Sequence, residues 1–135
     1  MTVSINGLTR EFKDVKAVDS VSLEISEGEV FGLLGPNGAG KTTMISMLCT
    51  ILRPTSGTAR INGHDVSREQ ANVRKSIGVV FQDPSLDEEL TALENLDFHG
   101  RLYGIPKKLR DERITELIGL VELDDRLNTL VKQFS

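Results

Sequence analysis

The chain is poor in several things, and each shortage closes off a class of protein. It has one cysteine, Cys49, in 135 residues. A disulfide framework and a thiolate metal cluster are thereby excluded. Cys49 lies among Met47, Leu48 and Ile51, in a predicted helix, and reads as a small buried hydrophobe. No apolar run approaches the roughly 20 residues of a membrane-spanning helix. The opening stretch MTVSINGLTREF lacks the basic-then-apolar layout of a secretory leader. Basic surplus is missing too: 16 Lys and Arg stand against 20 Asp and Glu, a net charge of -4. General nucleic-acid binding, which wants a basic face, is not expected. No internal repeat or low-complexity tract occurs. With 39% hydrophobic and 27% charged residues, the composition is that of a soluble globular chain. The length suits one domain or part of one. The expected location is cytoplasmic, with any membrane contact made through a partner.

The local patterns predict an α/β order. Val3 and Ile5, then Val21, Leu23 and Ile25, alternate with polar neighbours as strands do. Residues 30–34, VFGLL, and 77–81, IGVVF, are apolar runs expected to be strands buried on both faces of a parallel sheet. Met44, Ile45, Met47, Leu48 and Ile51 predict a helix over 41–51, ended by Arg53-Pro54. Residues 57–66, GTARINGHDV, suggest a short strand with a turn at Asn62-Gly63. Ser67 with Gln70, and Thr91 with Glu94, have the spacing of capping boxes. Leu93, Leu96 and Tyr103 follow at helical spacing, and Gly104, Ile105 and Pro106 punctuate. From Lys107, the positions Leu109, Ile114, Leu117, Ile118 and Val121 form an amphipathic helical pattern. The predicted whole is an α/β core with an antiparallel annex and a helical segment over 91–123.

Between the first apolar run and the first helix stands GPNGAGKT, residues 35–42, which satisfies G-x-x-x-x-G-K-[ST] in full. Glycines let successive backbone N–H groups turn inward as an anion-binding nest. The helix starting near Lys41 aims its positive end at the same point. Lys41 is expected to reach the β- and γ-phosphates of a nucleotide, and the Thr42 hydroxyl to bind Mg²⁺. Thr43 adds a hydroxyl for the α-phosphate. A buried strand before the loop and an apolar-periodic helix after it are the context this motif requires.

The string GPNGAGKTT, with LTREFKDVKAVDSVSLEI before it and GTARINGHDV and IGVVFQDPSLDEELTALENL after it, resembles the ATP-binding domain of ABC transporters. The resemblance runs from about residue 3 to the last residue. It implies a P-loop NTPase core of the RecA-like kind, with a parallel sheet, an antiparallel β annex and the start of a helical subdomain. It also implies ATP and Mg²⁺ as ligands. Phe12 would stack on adenine, where the family more often has Tyr, and Val18 would line the same pocket. Asn37, Gly38, Ala39, Gly40, Lys41, Thr42 and Thr43 would wrap the phosphates. Gln82, opening a Q-loop region over 82–90, would touch Mg²⁺ or the attacking water. Lys41 and Gln82 would thus serve catalysis, and Thr42 and Gln82 the metal. Without the resemblance, Phe12 reads as a core residue and Gln82 as a polar residue at a strand end.

PSLDEELTALENL and RLYGIP resemble the subgroup that serves drug, lipid or polysaccharide export with a separate membrane subunit. On that resemblance residues 83–105 would meet the membrane-spanning subunit, and a second ATP-binding subunit would pair head to tail. The residues alone equally suit an acidic loop and a helix packed on its own core. His64 and His99 read as surface or hydrogen-bonded histidines, since neither matches the family's catalytic histidine.

In the family, Ser135 would begin the signature Ser-Gly-Gly. The Asp-Glu pair and the switch histidine come later still. The chain is therefore expected to be the N-terminal portion of such a domain, truncated, hydrolysing almost nothing by itself and folding poorly alone. Two other readings remain open. One is a small P-loop kinase or GTPase with Asp83 as its Mg²⁺-binding acid; the other is a non-hydrolytic ATP-binding remnant.

Overall fold

A computed structural model describes residues 1–80 and 85–134. The chain divides into two units, Met1–Val80 and Phe81–Ser135. In the first unit, β1 (Val3–Phe12) and β2 (Val15–Ile25) form a hairpin, and β3 (Ser56–Ile61) and β4 (His64–Asp65) a second. The four strands lie in the order β2-β1-β3-β4, with every pairing antiparallel. Alternation explains the faces: Val3 and Ile5 point into the core with Ala59 and Ile61 opposite them. The second turn behaves as its dipeptide predicts. Asn62 and Gly63 both take positive φ, 49° and 80°, which the strand twist of a two-residue hairpin demands.

Helix α1 (Lys41–Leu48) packs Met44 and Met47 against this sheet, and α2 (Gln70–Ser76) adds Val73. Helix α1 ends five residues before the Arg53-Pro54 breaker that the sequence offers. Thr50 takes a left-handed φ of 62°. Its N–H donates to Met47 O at 3.1 Å and that of Ile51 to Ser46 O at 2.9 Å, the paired closure of a Schellman motif. Glycine is usual at such a position; Thr50 stands there because its buried hydroxyl accepts from Arg74 Nε of α2 at 2.8 Å. Cys49, the residue capping α1, is half-buried rather than fully buried, and desolvation pushes its thiol pKa up.

The cap of α2 also differs from expectation. Ser67 and Gln70 make no box, and the helix begins after Glu69 with no side-chain cap. The reciprocal pair is Asp65 and Glu69. Asp65 Oδ1 accepts from the N–H groups of Ser67 and Arg68, while Glu69 accepts from Asp65 N and lies 3.1 Å from His64 Nδ1. These bonds, the Asp65 N–H first, hold the Glu69 pKa below the usual carboxylate range. His64 is therefore a hydrogen-bonded histidine, as expected.

Among the described residues, the two apolar runs read as buried strands form no strand and are largely exposed, with only Leu33 and Ile77 half-buried against the core. Residues 30–34 and 77–80 carry no strand pairing. Val30 is 98% exposed, Leu34 92% and Val80 99%. A run of this kind becomes a central strand only when neighbours on both edges satisfy its backbone groups, and among the described residues none does. Phe81, the last residue of the second run, lies outside the described residues.

In the second unit, α3 (Ala92–Leu102) and α4 (Lys107–Leu120) are joined through Gly104, φ 67°. The capping box at α3 is present as predicted: Thr91 Oγ1 accepts from Glu94 N, and Glu94 accepts from Thr91 N. The latter bond heads the causes that lower the Glu94 pKa. Helix α4 buries Arg110, Ile114 and Ile118, leaving Leu109, Leu117 and Val121 substantially exposed. Ile114 and Ile118 are thus buried as the apolar pattern expects, and the third buried place on that face is taken by Arg110, which lies against Gly100 of α3 and bonds Asp97 and Ile105 O. A Cβ on Gly100 would clash with Cδ and Cγ of the Arg110 side chain. That hydrogen bond from Arg110 is the first cause of a lowered Asp97 pKa. No helix of the described residues is long and apolar enough to cross a membrane.

Candidate phosphate-binding site

The loop of residues 35–40 leads directly into α1. Ala39 N donates to Pro36 O at 3.2 Å, closing a turn. Gly40 is the residue before the helix and is left-handed, φ 85° and ψ 3°. No side chain caps α1, so its first backbone N–H groups are left for another acceptor, and helix N-termini of this kind accept anions. Lys41 Nζ curls back over the loop and donates to Gly35 O at 2.6 Å and Pro36 O at 2.7 Å. The ammonium is thereby held at the mouth of the loop.

Gly40 is also where the loop meets the sheet. An added Cβ there would lie 2.0 Å from Ala17 O and 3.2 Å from Val18 Cγ2, so the loop backbone sits flush on β2. The consequence is a cleft of about 400 Å³. Val18, Gly38, Ala39, Gly40 and Lys41 line it together with Lys16, Leu33 and Met44. Lys16 itself lies within 3.7 Å of Glu11 and 3.4 Å of Asp19.

The expected site residues are thus partly assembled. Val18 is buried at the cleft wall, and Gly38, Ala39, Gly40 and Lys41 form its rim. Asn37 lies in the exposed loop turn, and Thr42 and Thr43 in the first turn of α1. Phe12 does not line the cleft; it ends β1, paired with Val15 across the hairpin and 44% exposed. Gln82 and Asp83 lie outside the described residues, and so does Ser135. Two contributors went unread in the sequence, Ala17 and Lys16. Their signal is tertiary: only the packing of the loop on β2 brings them to the cleft. Among the described residues no three His, Cys, Asp or Glu side chains gather to hold a metal. The Thr42 hydroxyl and the oxygens of a bound phosphate are ligands of the kind that Mg²⁺ takes.

The sequence matches the ABC transporter family over residues 18–135. The chain belongs to that family. As an ABC-type ATP-binding chain it is 46% identical over 133 residues to the daunorubicin/doxorubicin resistance ATP-binding protein DrrA of Streptomyces peucetius, covering 98% of this chain and 40% of that protein. It is 41% identical over 138 residues to the ABC transporter ATP-binding protein NatA of Bacillus subtilis, covering 98% and 56%. The fold superposes on cbiO1 from Clostridium perfringens, part of the ABC transporter complex cbiONQ, with a TM-score of 0.87 at 25% identity, covering 98% of this chain and 55% of that one. An ATP-binding subunit of an ABC transporter gives 0.82 at 27% identity, covering 100% and 56%. The chain therefore spans about half the length of the relatives it matches, or less. Family membership settles the recognition drawn from GPNGAGKTT and its flanks, and sets aside the small kinase or GTPase reading. The drug-resistance relatives agree with the exporter-like subgroup.

The second unit carries the stretch assigned to a membrane partner. Asn95, buried in α3, accepts from Asp87 N and donates to Asp87 O and Thr91 O. One side chain thus knits residues 87–91 to the helix. Along the same segment Phe98, Leu102 and Tyr103 are 52%, 67% and 83% exposed. His99 is half-buried, its ring edge-on to Phe98 at 5.7 Å.

Proposed function

We propose that this chain binds ATP with Mg²⁺ through residues 35–43, as the N-terminal portion of an ABC transporter ATP-binding domain whose intact protein couples hydrolysis to export. The observation that carries the reading is the uncapped start of α1 facing a glycine loop whose lysine is already in place. Lys41 supplies charge to the γ-phosphate, backbone N–H groups of residues 37–43 cradle the phosphates, and Thr42 offers its hydroxyl to the metal. Phe12 stacks on adenine and Val18 closes the pocket beneath it. Gln82 links the metal or attacking water to the rest of the protein. Mg²⁺, when bound, neutralises phosphate charge as the terminal bond breaks.

The remaining assignments follow the family. Residues 30–34 and 77–81 become central strands of a parallel sheet, which the exposed Val30, Leu34 and Val80 favour. Residues 83–105 face the membrane-spanning subunit, a role that suits the exposed Phe98, Leu102 and Tyr103. A second ATP-binding subunit pairs head to tail, and the assembly sits on the inner face of the cell membrane. The non-hydrolytic remnant predicts the same binding without turnover.

The test is titration of the intact protein with ATP in the presence and absence of Mg²⁺, beside Lys41→Ala. A charge-assisted hydrogen bond contributes about 1.5–3 kcal/mol, so the variant is expected to bind ATP roughly 10- to 150-fold more weakly. Unchanged affinity would overturn the assignment. ATP turnover by the same preparation separates a hydrolysing subunit from a remnant.

A further inference from the structure

Arg10 belongs to no part of the phosphate site, and nothing in the motif calls for it. Yet its guanidinium carbon lies 4.5 Å from the centroid of the Phe12 ring, over its face. The two residues are two apart on β1, hence on the same side of the strand. Arg10 Nη1 donates to Arg53 O at 2.9 Å. Its Nε is the one buried side-chain nitrogen or oxygen without a hydrogen-bond partner among the described residues. An unpaired buried donor is unfavourable, and the cation–π contact with the Phe12 ring is an attraction that stands against that cost.

Arg53 belongs to the segment that follows α1, and that segment is latched to β1. Thr55 N donates to Thr9 O at 2.8 Å, and Glu11 N donates to Thr55 Oγ1 at 3.0 Å. The Arg10 bond to Arg53 O is the third tie. Arginine suits the place for a geometric reason. A guanidinium presents a flat face for stacking while its N–H groups donate in the plane. A lysine ammonium does one or the other.

We propose that Arg10 is a positioning residue for base recognition: it covers one face of the Phe12 ring, fixes the ring against the segment after α1, and leaves the opposite face as the stacking surface for adenine. The proposal rests on the reading of Phe12 as the adenine platform. It adds a link between base and phosphate recognition, since the helix that Arg53 follows begins at Lys41.

The test compares equilibrium binding of ATP with that of inorganic tripolyphosphate, both with Mg²⁺, in the intact protein. The ratio isolates the contribution of the nucleoside, and tripolyphosphate binding reports whether the phosphate loop is intact. Phe12→Ala is expected to lower the ATP preference roughly tenfold, the usual value of a stacked base. Arg10→Ala is expected to lower it about two- to fivefold, as for an exposed cation–π pair, and to add nothing in the Phe12→Ala background. If Phe12→Ala leaves the preference unchanged, the stacking reading falls and this proposal with it. If Phe12→Ala lowers the preference but Arg10→Ala does not, or the two losses multiply, Arg10 has no positioning role and only this proposal falls. Should Arg10→Ala also lose tripolyphosphate binding through the broken latch, Arg10→Lys decides. It is expected to keep tripolyphosphate affinity and lose part of the ATP preference; an unchanged preference would overturn the proposal.

Discussion

Gly38 and Gly40 offer a paired experiment in which one geometric difference is isolated. Both are left-handed, with φ of 81° and 85°. An alanine at either position incurs the left-handed penalty of about 1–2 kcal/mol. At Gly38 the new Cβ meets nothing within 4 Å, so that penalty is the whole expected effect. At Gly40 the Cβ falls 2.0 Å from Ala17 O. A backbone carbonyl cannot rotate out of the way, so the loop must lift from β2, and forced overpacking adds about 1–3 kcal/mol. The expected destabilisation is thus about 1–2 kcal/mol for Gly38→Ala and about 2–5 kcal/mol for Gly40→Ala, the latter a large share of a typical domain's 5–15 kcal/mol. Urea unfolding of the intact protein without nucleotide, followed by circular dichroism, measures both. ATP titration supplies a second readout, because lifting the loop parts it from Lys16 and Val18 and should weaken binding more in Gly40→Ala than in Gly38→Ala. Equal losses of stability and equal affinities in the two variants would refute the close approach of the loop to β2.

Three further outcomes are expected. Thr91→Ala removes the capping box at α3 and should cost about 1 kcal/mol, read as a lowered thermal midpoint; Thr91→Ser should recover most of it. The Asp97 pKa is lowered in the fold, so its contribution is complete above the ordinary carboxylate value of about 3.9 and is lost as pH falls from there through the folded value. Acid unfolding of Asp97→Asn should therefore converge with wild type below that window and lie beneath it in stability above; parallel curves throughout would count against the Arg110 bond. Phe98→Glu with Leu102→Glu should abolish co-purification with the membrane-spanning subunit while leaving ATP affinity intact, and retained capture would remove that face from the interface.

How much of this was legible depended on whether the cause was local. The strand alternation of Val3 and Ile5 and of Val21, Leu23 and Ile25, the Asn62-Gly63 turn and the Thr91–Glu94 box were readable because each rests on residues a few positions apart. The phosphate loop was readable as a motif, and the structure adds what no motif states, namely that Ala17 sets how close the loop lies to the sheet. The end of α1 was not legible. Thr50 takes a conformation usually left to glycine, for a hydrogen bond to Arg74, 24 residues on. The face of α4 was legible only in part: Ile114 and Ile118 are buried as expected, but the buried place before them holds Arg110, and charged residues are seldom buried unless paired. The runs at 30–34 and 77–80 show the limit most plainly. Apolar periodicity says that a segment seeks burial, and only neighbours decide whether it finds it.

The curled Lys41 side chain has a consequence for how the loop meets an anion. A free lysine carries about 2 kcal/mol of rotamer entropy, and here two carbonyl bonds have already ordered it. That loss belongs to folding, so an arriving phosphate finds the charge preorganised and the association need not order it again. The same bonds make Lys41 a screen. The oxygens of Gly35 and Pro36 are acceptors and would repel a phosphate approaching the mouth of the loop; the ammonium covers both. Removing it does more than delete an attraction, because it leaves two negative dipoles at the entrance to a site built for negative charge.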